Sequence, residues 1–329
     1  MRDYGVHEAV MVDQVIKNLI ADKKGTYVDC TFGLGGHACA ILKKLDSEAK
    51  LTGIDRDPES LFKANEVIKQ DKRFSFINDK FGNIQNYFDP KGLDGILVDL
   101  GISSSQLDNP KRGFSFQLNG PLDMRMSQSD KVSAETWINK STKEEIAKVL
   151  WEVGEERHSR KISDSICRER ELSPINTTKR LSEVILAAKP RRSKKHPATN
   201  VFRAIRMEVN SELQELQSLL VSAGKLLKEG GRLAVISFHS LEDRIVKRFV
   251  QGKSLEGQNF SFKKLGPKHF KPSVNNKYES LSFKFNLLLN EVEYFRNQLT
   301  IRKVATEKLG MRSPSLSDQI LITKESSKK

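Results

Sequence analysis

Short apolar runs alternate with amphipathic stretches along the first hundred residues, the rhythm of strands and helices in a parallel sheet. Tyr27-Val-Asp-Cys-Thr31 predicts a first strand, followed by a glycine-rich turn and a helix to about Leu45. Leu51-Thr-Gly-Ile-Asp55 predicts a second strand, and Asp57-Pro58 opens a helix with proline in its first turn. Phe74-Ser-Phe-Ile77 predicts a third strand at the sheet edge. Leu93-Asp-Gly-Ile-Leu-Val-Asp99 predicts a fourth, apolar enough for the sheet interior.

The rhythm then breaks, because the next strand pattern is Arg232-Leu-Ala-Val-Ile-Ser-Phe238, more than a hundred residues on. Ordinary connections run ~2–6 residues, so the gap predicts a structured insertion. Helix spacing marks Thr142 to Glu152, Glu155 to Glu171 and Thr178 to Lys189. A long amphipathic segment follows from Phe202 to Leu227, with Gly230-Gly231 expected to stop it, and a last helix spans roughly Leu241 to Gln251. Further on, Ser280 to Leu289 and Gln319 to Thr323 read as strands, Gly252 to Lys277 as a surface loop, and the Ser-Ser-Lys-Lys tail as disordered. The expected fold is α/β, a doubly wound, mostly parallel sheet with an inserted helical subdomain. The expected division is 1–106 and 213–329 for the sheet domain and 107–212 for the insertion.

Charge adds a partner class. Lys and Arg total 56 against 42 Asp and Glu, a formal net charge of +14 that points to a polyanion, nucleic acid first. The three cysteines (Cys30, Cys39, Cys167) form no Cys-x-x-Cys pair, which argues against a disulfide framework or a zinc knuckle and suits a reducing cytoplasm. The N-terminal residues lack a signal-peptide layout, and no apolar run reaches the ~20 residues that span a bilayer. A soluble, cytoplasmic protein is the expectation.

The turn after the first strand carries the first chemistry. Gly33-Leu-Gly35-Gly36-His37-Ala38 matches Gly-x-Gly-x-x-Ala, a spacing that serves S-adenosyl-L-methionine or a nicotinamide dinucleotide. Asp29, just before that turn, can pair with the ammonium of a methionine moiety and would repel a pyrophosphate, so it favours S-adenosylmethionine. Asp55 at the end of the second strand can take ribose hydroxyls in either cofactor. Asp99 at the end of the fourth strand adjoins the crevice where ligands bind in such sheets and can accept from a target amine. The prolines common near this place in amino-group methyltransferases are absent, so the residue pattern alone leaves the target open.

A series of segments in one order carries a resemblance: Thr31-Phe-Gly-Leu-Gly-Gly-His37, Gly53-Ile-Asp-Arg-Asp-Pro58, Asp94 to Gly101, Arg112-Gly-Phe-Ser-Phe116, Gly120-Pro-Leu-Asp-Met-Arg-Met126, Gly154-Glu-Glu-Arg157, His196-Pro-Ala-Thr199 and Ile236 to Arg244. From about His7 to Phe249 the chain resembles the bacterial ribosomal RNA small-subunit methyltransferase H family, also called the MraW family. The resemblance implies a class I methyltransferase that transfers a methyl group to N4 of a cytosine in the decoding centre of 16S rRNA. It implies cofactor contacts by Gly35, Gly36, His37, Asp55, Phe81, Asp99 and Gln106, with Asp99 orienting the amine. A C-terminal Asn-Pro-Arg-x-Arg-Ser pattern of the family is missing here, with Met311-Arg-Ser-Pro-Ser-Leu-Ser317 in its place.

For the RNA side, the insertion offers Arg157-His-Ser-Arg-Lys161, Arg168, Arg170 and the run Lys189-Pro-Arg-Arg-Ser-Lys-Lys195 as phosphate contacts, and Phe114, Phe116 and Phe238 as stacking faces. His239 with Glu242-Asp243 lacks zinc-ligand spacing, and methyl transfer requires no metal. A non-catalytic RNA-binding assembly factor, or a methyltransferase with another substrate, remains an alternative at this level.

Overall fold

The computed structural model describes residues 9–189 and 196–251. They fall in one compact unit, Met1–Pro272; a second unit, Ser273–Lys329, lies outside the described residues. The expected strands at 280–289 and 319–323, the 252–277 loop, the tail and the basic residues 190–195 also lie outside them. In chain order the elements are α1 (Val12–Leu19), β1 (Thr26–Asp29), α2 (Gly36–Leu42), β2 (Lys50–Ile54), α3 (Ser60–Gln70), β3 (Phe74–Ile77), a 3-10 turn (Phe81–Asn86), β4 (Leu93–Asp99), α4 (Ser104–Asp108) and a second 3-10 turn (Pro110–Arg112). There follow α5 (Ala134–Lys140), α6 (Lys143–Glu152), α7 (Ser159–Leu172), α8 (Thr178–Ala188), α9 (Thr199–Val209), α10 (Glu212–Leu226), β5 (Leu227–Ile236) and α11 (Ser240–Val250).

The five strands are parallel in the order β3-β2-β1-β4-β5, with β3 at the edge as expected. Their side chains alternate between two cores. Val28, Ile96 and Val98 join Leu216, Leu220 and Ile245 on one face, while Tyr27, Leu51 and Leu97 join Leu19, Ile41 and Ala64 on the other. Burial on both faces explains why the strands read as nearly continuous apolar runs. Gly95 lies where β4 passes closest to β1: a Cβ there would stand 2.6 Å from the Tyr27 ring and 2.9 Å from Leu19. From β1 the chain proceeds to one side through β2 and β3, then returns to the other through β4 and β5. The loops leaving β1 and β4 therefore diverge and open a crevice at the carboxyl edge.

Residues between β4 and β5 build a third core of their own. Phe114, Leu122 and Met124 pack with Ile138 of α5, Ile146 and Leu150 of α6, Ile162 and Ile166 of α7, Ile185 of α8 and Phe202 of α9. Two sequence expectations change here. The segment from Phe202 to Leu227 is two helices, because the chain turns at Asn210-Ser211, where Ser211 is left-handed at φ 52°. The Asn210 side chain donates to the Arg206 carbonyl at 2.8 Å and to the Met124 carbonyl at 2.7 Å, closing α9 against the insertion. Gly230-Gly231 do not stop α10, which ends at Leu226. They lie in β5, where the pairing shifts register between Leu93 and Gly95 and Gly230 takes φ 78°. Similarly, α7 begins at Ser159 because Glu155 is left-handed at φ 51°. No helix among the described residues is long and apolar enough to cross a membrane.

Candidate functional site

Three acids converge on the carboxyl edge because each ends or follows an apolar strand. Asp29 closes β1 and is fully buried; its Oδ1 accepts the Thr31 amide at 3.2 Å, while Oδ2 has no hydrogen-bond partner. Burial pushes its carboxyl up to about 7; the Thr31 amide opposes the rise and the Asp55 charge adds to it. Asp99 closes β4. Its amide donates to Thr31 Oγ1 at 2.7 Å, and its own buried Oδ1 is again unpartnered. Burial raises the Asp99 carboxyl to about 7, against the pull of His37 and with the help of the Asp29 and Glu242 charges. Two carboxylates, each with a buried oxygen left idle, are costly unless something binds there.

The glycine turn shapes the floor of this edge. Gly35 is left-handed at φ 78° and its amide donates to the Phe32 carbonyl at 2.8 Å. A Cβ at that position would stand 2.9 Å from the Phe32 ring, so the turn excludes other residues on conformation and space together. Gly36 opens α2, and His37 follows it, buried. The His37 Nε2 lies 2.8 Å from the Val10 carbonyl, which can only accept; that nitrogen therefore carries hydrogen, and Nδ1 faces Asp99 Oδ2 at 3.7 Å.

Asp55, one residue beyond β2, is held from two sides: Oδ2 accepts the Gly33 amide at 2.7 Å and Oδ1 accepts the Asp57 amide at 2.8 Å. Burial raises its pKa, with these two amides opposing. The Ser60 side chain bonds the same carboxylate, and the acceptor capacity that remains can take a ligand hydroxyl. Phe81 begins the 3-10 turn after β3 and is half-buried against the core beneath α10. Gln106 is placed differently from an open rim amide. It is buried, its Oε1 accepts the Ser103 amide in a capping box, and its Nε2 donates to Asp57 Oδ2 at 2.7 Å.

On the insertion side, Arg157, Arg160, Lys161 and Arg168 are exposed. Arg170 is spent inside, donating to the Ile138 carbonyl at 2.6 Å, and Lys189 pairs with the buried Glu156 at 2.5 Å. Phe114 lies in the insertion core under the Arg112 guanidinium, and Phe116 stacks on His196 with ring centres 4.5 Å apart. Phe238 is half-buried beside Gly101, at the β4 exit. His239 Nε2 lies 3.0 Å from Glu242 Oε1, an internal pair rather than a metal site. Sequence reading missed the role of Asp57, Arg56 and Arg112, all buried or nearly so; the doubled acids of Asp55-Arg-Asp57 were the available signal.

The donor set suits S-adenosylmethionine. An idle buried carboxylate oxygen on Asp29 matches an ammonium, and the anchored carboxylate of Asp55 matches a ribose hydroxyl. A model of the MraW methylase family matches residues 5–280. The ribosomal RNA small subunit methyltransferase H of Coxiella burnetii (strain Dugway 5J108-111) is 46% identical over 253 residues, covering 75% of this chain and 82% of that protein. Its namesake from Idiomarina loihiensis is 46% identical over 257 residues, covering 77% of this chain and 81% of that protein.

Proposed function

With a family match over residues 5–280, the chain belongs to the MraW methylase family, and from that premise we propose that it methylates N4 of a cytosine in the decoding centre of 16S rRNA. The coarser statement, an S-adenosylmethionine-dependent methyltransferase acting on small-subunit rRNA, follows from the family and its relatives. The observation that carries the finer reading is Asp99, a half-buried carboxylate at the switch point with one oxygen idle and a pKa raised to about 7.

The cofactor supplies a methyl group on a positively charged sulfur, open to in-line attack. Asp29 holds the ammonium end and Asp55 the ribose hydroxyls, while the Gly35-Gly36 backbone lets the ligand approach closely. The target amine is a poor nucleophile because its lone pair is drawn into the ring. Asp99 Oδ1 would accept an N–H of that amine, orient the lone pair and take the surplus proton as the N–C bond replaces the S–C bond, whose electron pair returns to sulfur in the departing S-adenosylhomocysteine. His37 Nδ1 lies 3.7 Å from the other Asp99 oxygen. The cytosine must leave its stack, at a few kcal/mol, and an aromatic face such as Phe238 recovers roughly 1–3 kcal/mol of that. Exposed Arg157, Arg160, Lys161 and Arg168 grip phosphates, so binding weakens as salt rises.

The test is transfer from methyl-labelled cofactor to small ribosomal subunits that lack the modification, with the product mapped by mass. Label on N4 of one 16S cytosine is expected. Label on another rRNA nucleotide would overturn the position, and label on protein alone would overturn the RNA assignment.

A further inference from the structure

We propose that Arg112 is a positioning residue that locks the cofactor acid Asp55 to the helical insertion through Asp57, so that cofactor and RNA strengthen each other's binding. This rests on the reading of Asp55 as the ribose-binding acid.

The β2–α3 loop reads Asp55-Arg56-Asp57, and the insertion grips both residues that follow Asp55. On one side, Asp57 donates its amide to Asp55 Oδ1 at 2.8 Å, which helps set the orientation of that carboxylate. Asp57 in turn is buried, and both of its oxygens are engaged. Its Oδ1 accepts the Glu59 amide at 3.1 Å, and its Oδ2 accepts Gln106 Nε2 at 2.7 Å and Arg112 Nη2 at 2.9 Å. The same Arg112 nitrogen donates to the carbonyls of Arg125 at 3.1 Å and Met126 at 2.9 Å, and Nη1 meets Glu59 Oε1 at 3.0 Å. Only 2% of the Arg112 surface is exposed, so its charge is committed to these partners.

On the other side, Arg56 donates to the Asn210 carbonyl and to Asp130 Oδ2, each at 2.6 Å. The Asn210 side chain accepts the Met126 amide at 2.7 Å and donates to the Met124 carbonyl at 2.7 Å. The path from the loop through Arg112, the 124–126 turn, Asn210 and Arg56 therefore returns to the loop. Within it Met124 is left-handed at φ 60° without being glycine, a conformation that persists only where its surroundings impose it.

A buried ion pair is a weak source of stability compared with apolar packing of the same volume, but it fixes register. A planar fork that meets two carboxylates and two carbonyls sets the loop's position as well as its charge. A ligand that orders the loop at Asp55 thereby orders the turn on which the insertion rests, and RNA on the insertion orders Asp55 in return. Such coupling is reciprocal.

The experiment is equilibrium dialysis of labelled S-adenosylhomocysteine, which cannot donate a methyl group, with and without small ribosomal subunits. In the wild type, subunits should tighten binding roughly 5-fold or more, within the usual span of coupling. Arg112→Lys keeps the charge and loses the fork. It should weaken binding and bring the tightening close to onefold, with an unchanged circular dichroism spectrum and a larger change in cofactor KM than in kcat. Asp130→Asn cuts the opposite arm at a half-exposed site and should reduce the tightening partway, so the proposal stays testable if Arg112→Lys fails to fold. No tightening in the wild type, or full tightening in a folded Arg112→Lys or in Asp130→Asn, would overturn it. If Asp55→Asn leaves binding unchanged, the reading of Asp55 is what fails; if Asp55→Asn weakens binding and Arg112→Lys does not, only the lock fails.

Discussion

Asp99 and Asp57 are both carboxylates at or just after strand ends, yet their surroundings differ in kind. Asp57 is buried and receives the amide of Glu59, the amide of Gln106 and the guanidinium of Arg112, so both of its oxygens are engaged within the frame. Asp99 has His37 at 3.7 Å on one oxygen and no partner on the other. The same contrast separates Asp29, with one idle oxygen, from the Arg206–Glu212 pair, whose two bonds of 2.8 and 2.9 Å close on each other. Asp57 and Glu212 spend their oxygens on the frame, whereas Asp29 and Asp99 each keep one oxygen without a partner. Desolvation without compensation is also what raises Asp29 and Asp99 to about 7.

The largest expected effect tests that division directly. Asp99→Asn retains shape but cannot take a proton, so kcat should fall roughly 10²- to 10⁴-fold, the usual worth of a positioned general base. Its folding stability should hold or rise, because a poorly compensated charge has been removed. Asp57→Asn should do the opposite, losing about 3–5 kcal/mol as Arg112 keeps a buried charge without its carboxylate. Urea denaturation beside single-turnover methyl transfer measures both; an Asp99→Asn protein that folds poorly and turns over normally would erase the distinction.

Much of the carboxyl edge was legible in the chain. An acid directly after an apolar run, as in Val28-Asp29 or Val98-Asp99, sits at a strand end whichever sheet it joins, and the glycine turn dates the helix that follows. What stayed hidden are pairings set by tertiary contact alone. Arg112 meets Asp57 across 55 residues and Arg56 meets Asn210 across 154, distances at which no local period carries information. The break at Asn210 escaped for another reason: Phe202, Ile205, Leu213 and Leu216 keep helical spacing through the turn, so the pattern alone shows one helix where the backbone makes two. The gripping role of Arg170 and Lys189 was equally invisible, since a basic residue reads the same whether it meets phosphate or a carbonyl.

The next effect is smaller and concerns pH. Asp29 ionises near 3.8 when unfolded and near 7 when folded, so the folded state holds the proton longer. Its protonated form contributes stability that is fully present below pH 3.8 and lost as pH rises through 7. Between those limits stability should fall with a slope of at most about 1.4 kcal/mol per pH unit from this group. Asp29→Asn should flatten that slope in urea titrations run at successive pH values. Cofactor affinity should move the other way, rising through pH 7 in the wild type as Asp29 becomes able to pair with an ammonium. A wild-type slope identical to that of Asp29→Asn would mean that the idle oxygen has a partner in solution.

The smallest effect separates the two regions by their helix caps. Ser103 and Gln106 form a capping box at α4, and Thr142 and Glu145 form the same box at α6. They differ in what lies beyond: Gln106 is buried and passes its amide on to Asp57, whereas Glu145 is exposed and its carboxyl is lowered by the Thr142 amide and hydroxyl alone. Thr142→Ala should therefore cost about 1 kcal/mol, the ordinary worth of a cap, and leave cofactor binding untouched. Gln106→Ala leaves the Ser103 hydroxyl cap in place but removes the acceptor of the Ser103 amide and strips a donor from buried Asp57, so it should cost more and weaken cofactor binding. Equal losses from the two, read by thermal melts with and without cofactor, would show that the bond from Gln106 to Asp57 transmits nothing to Asp55.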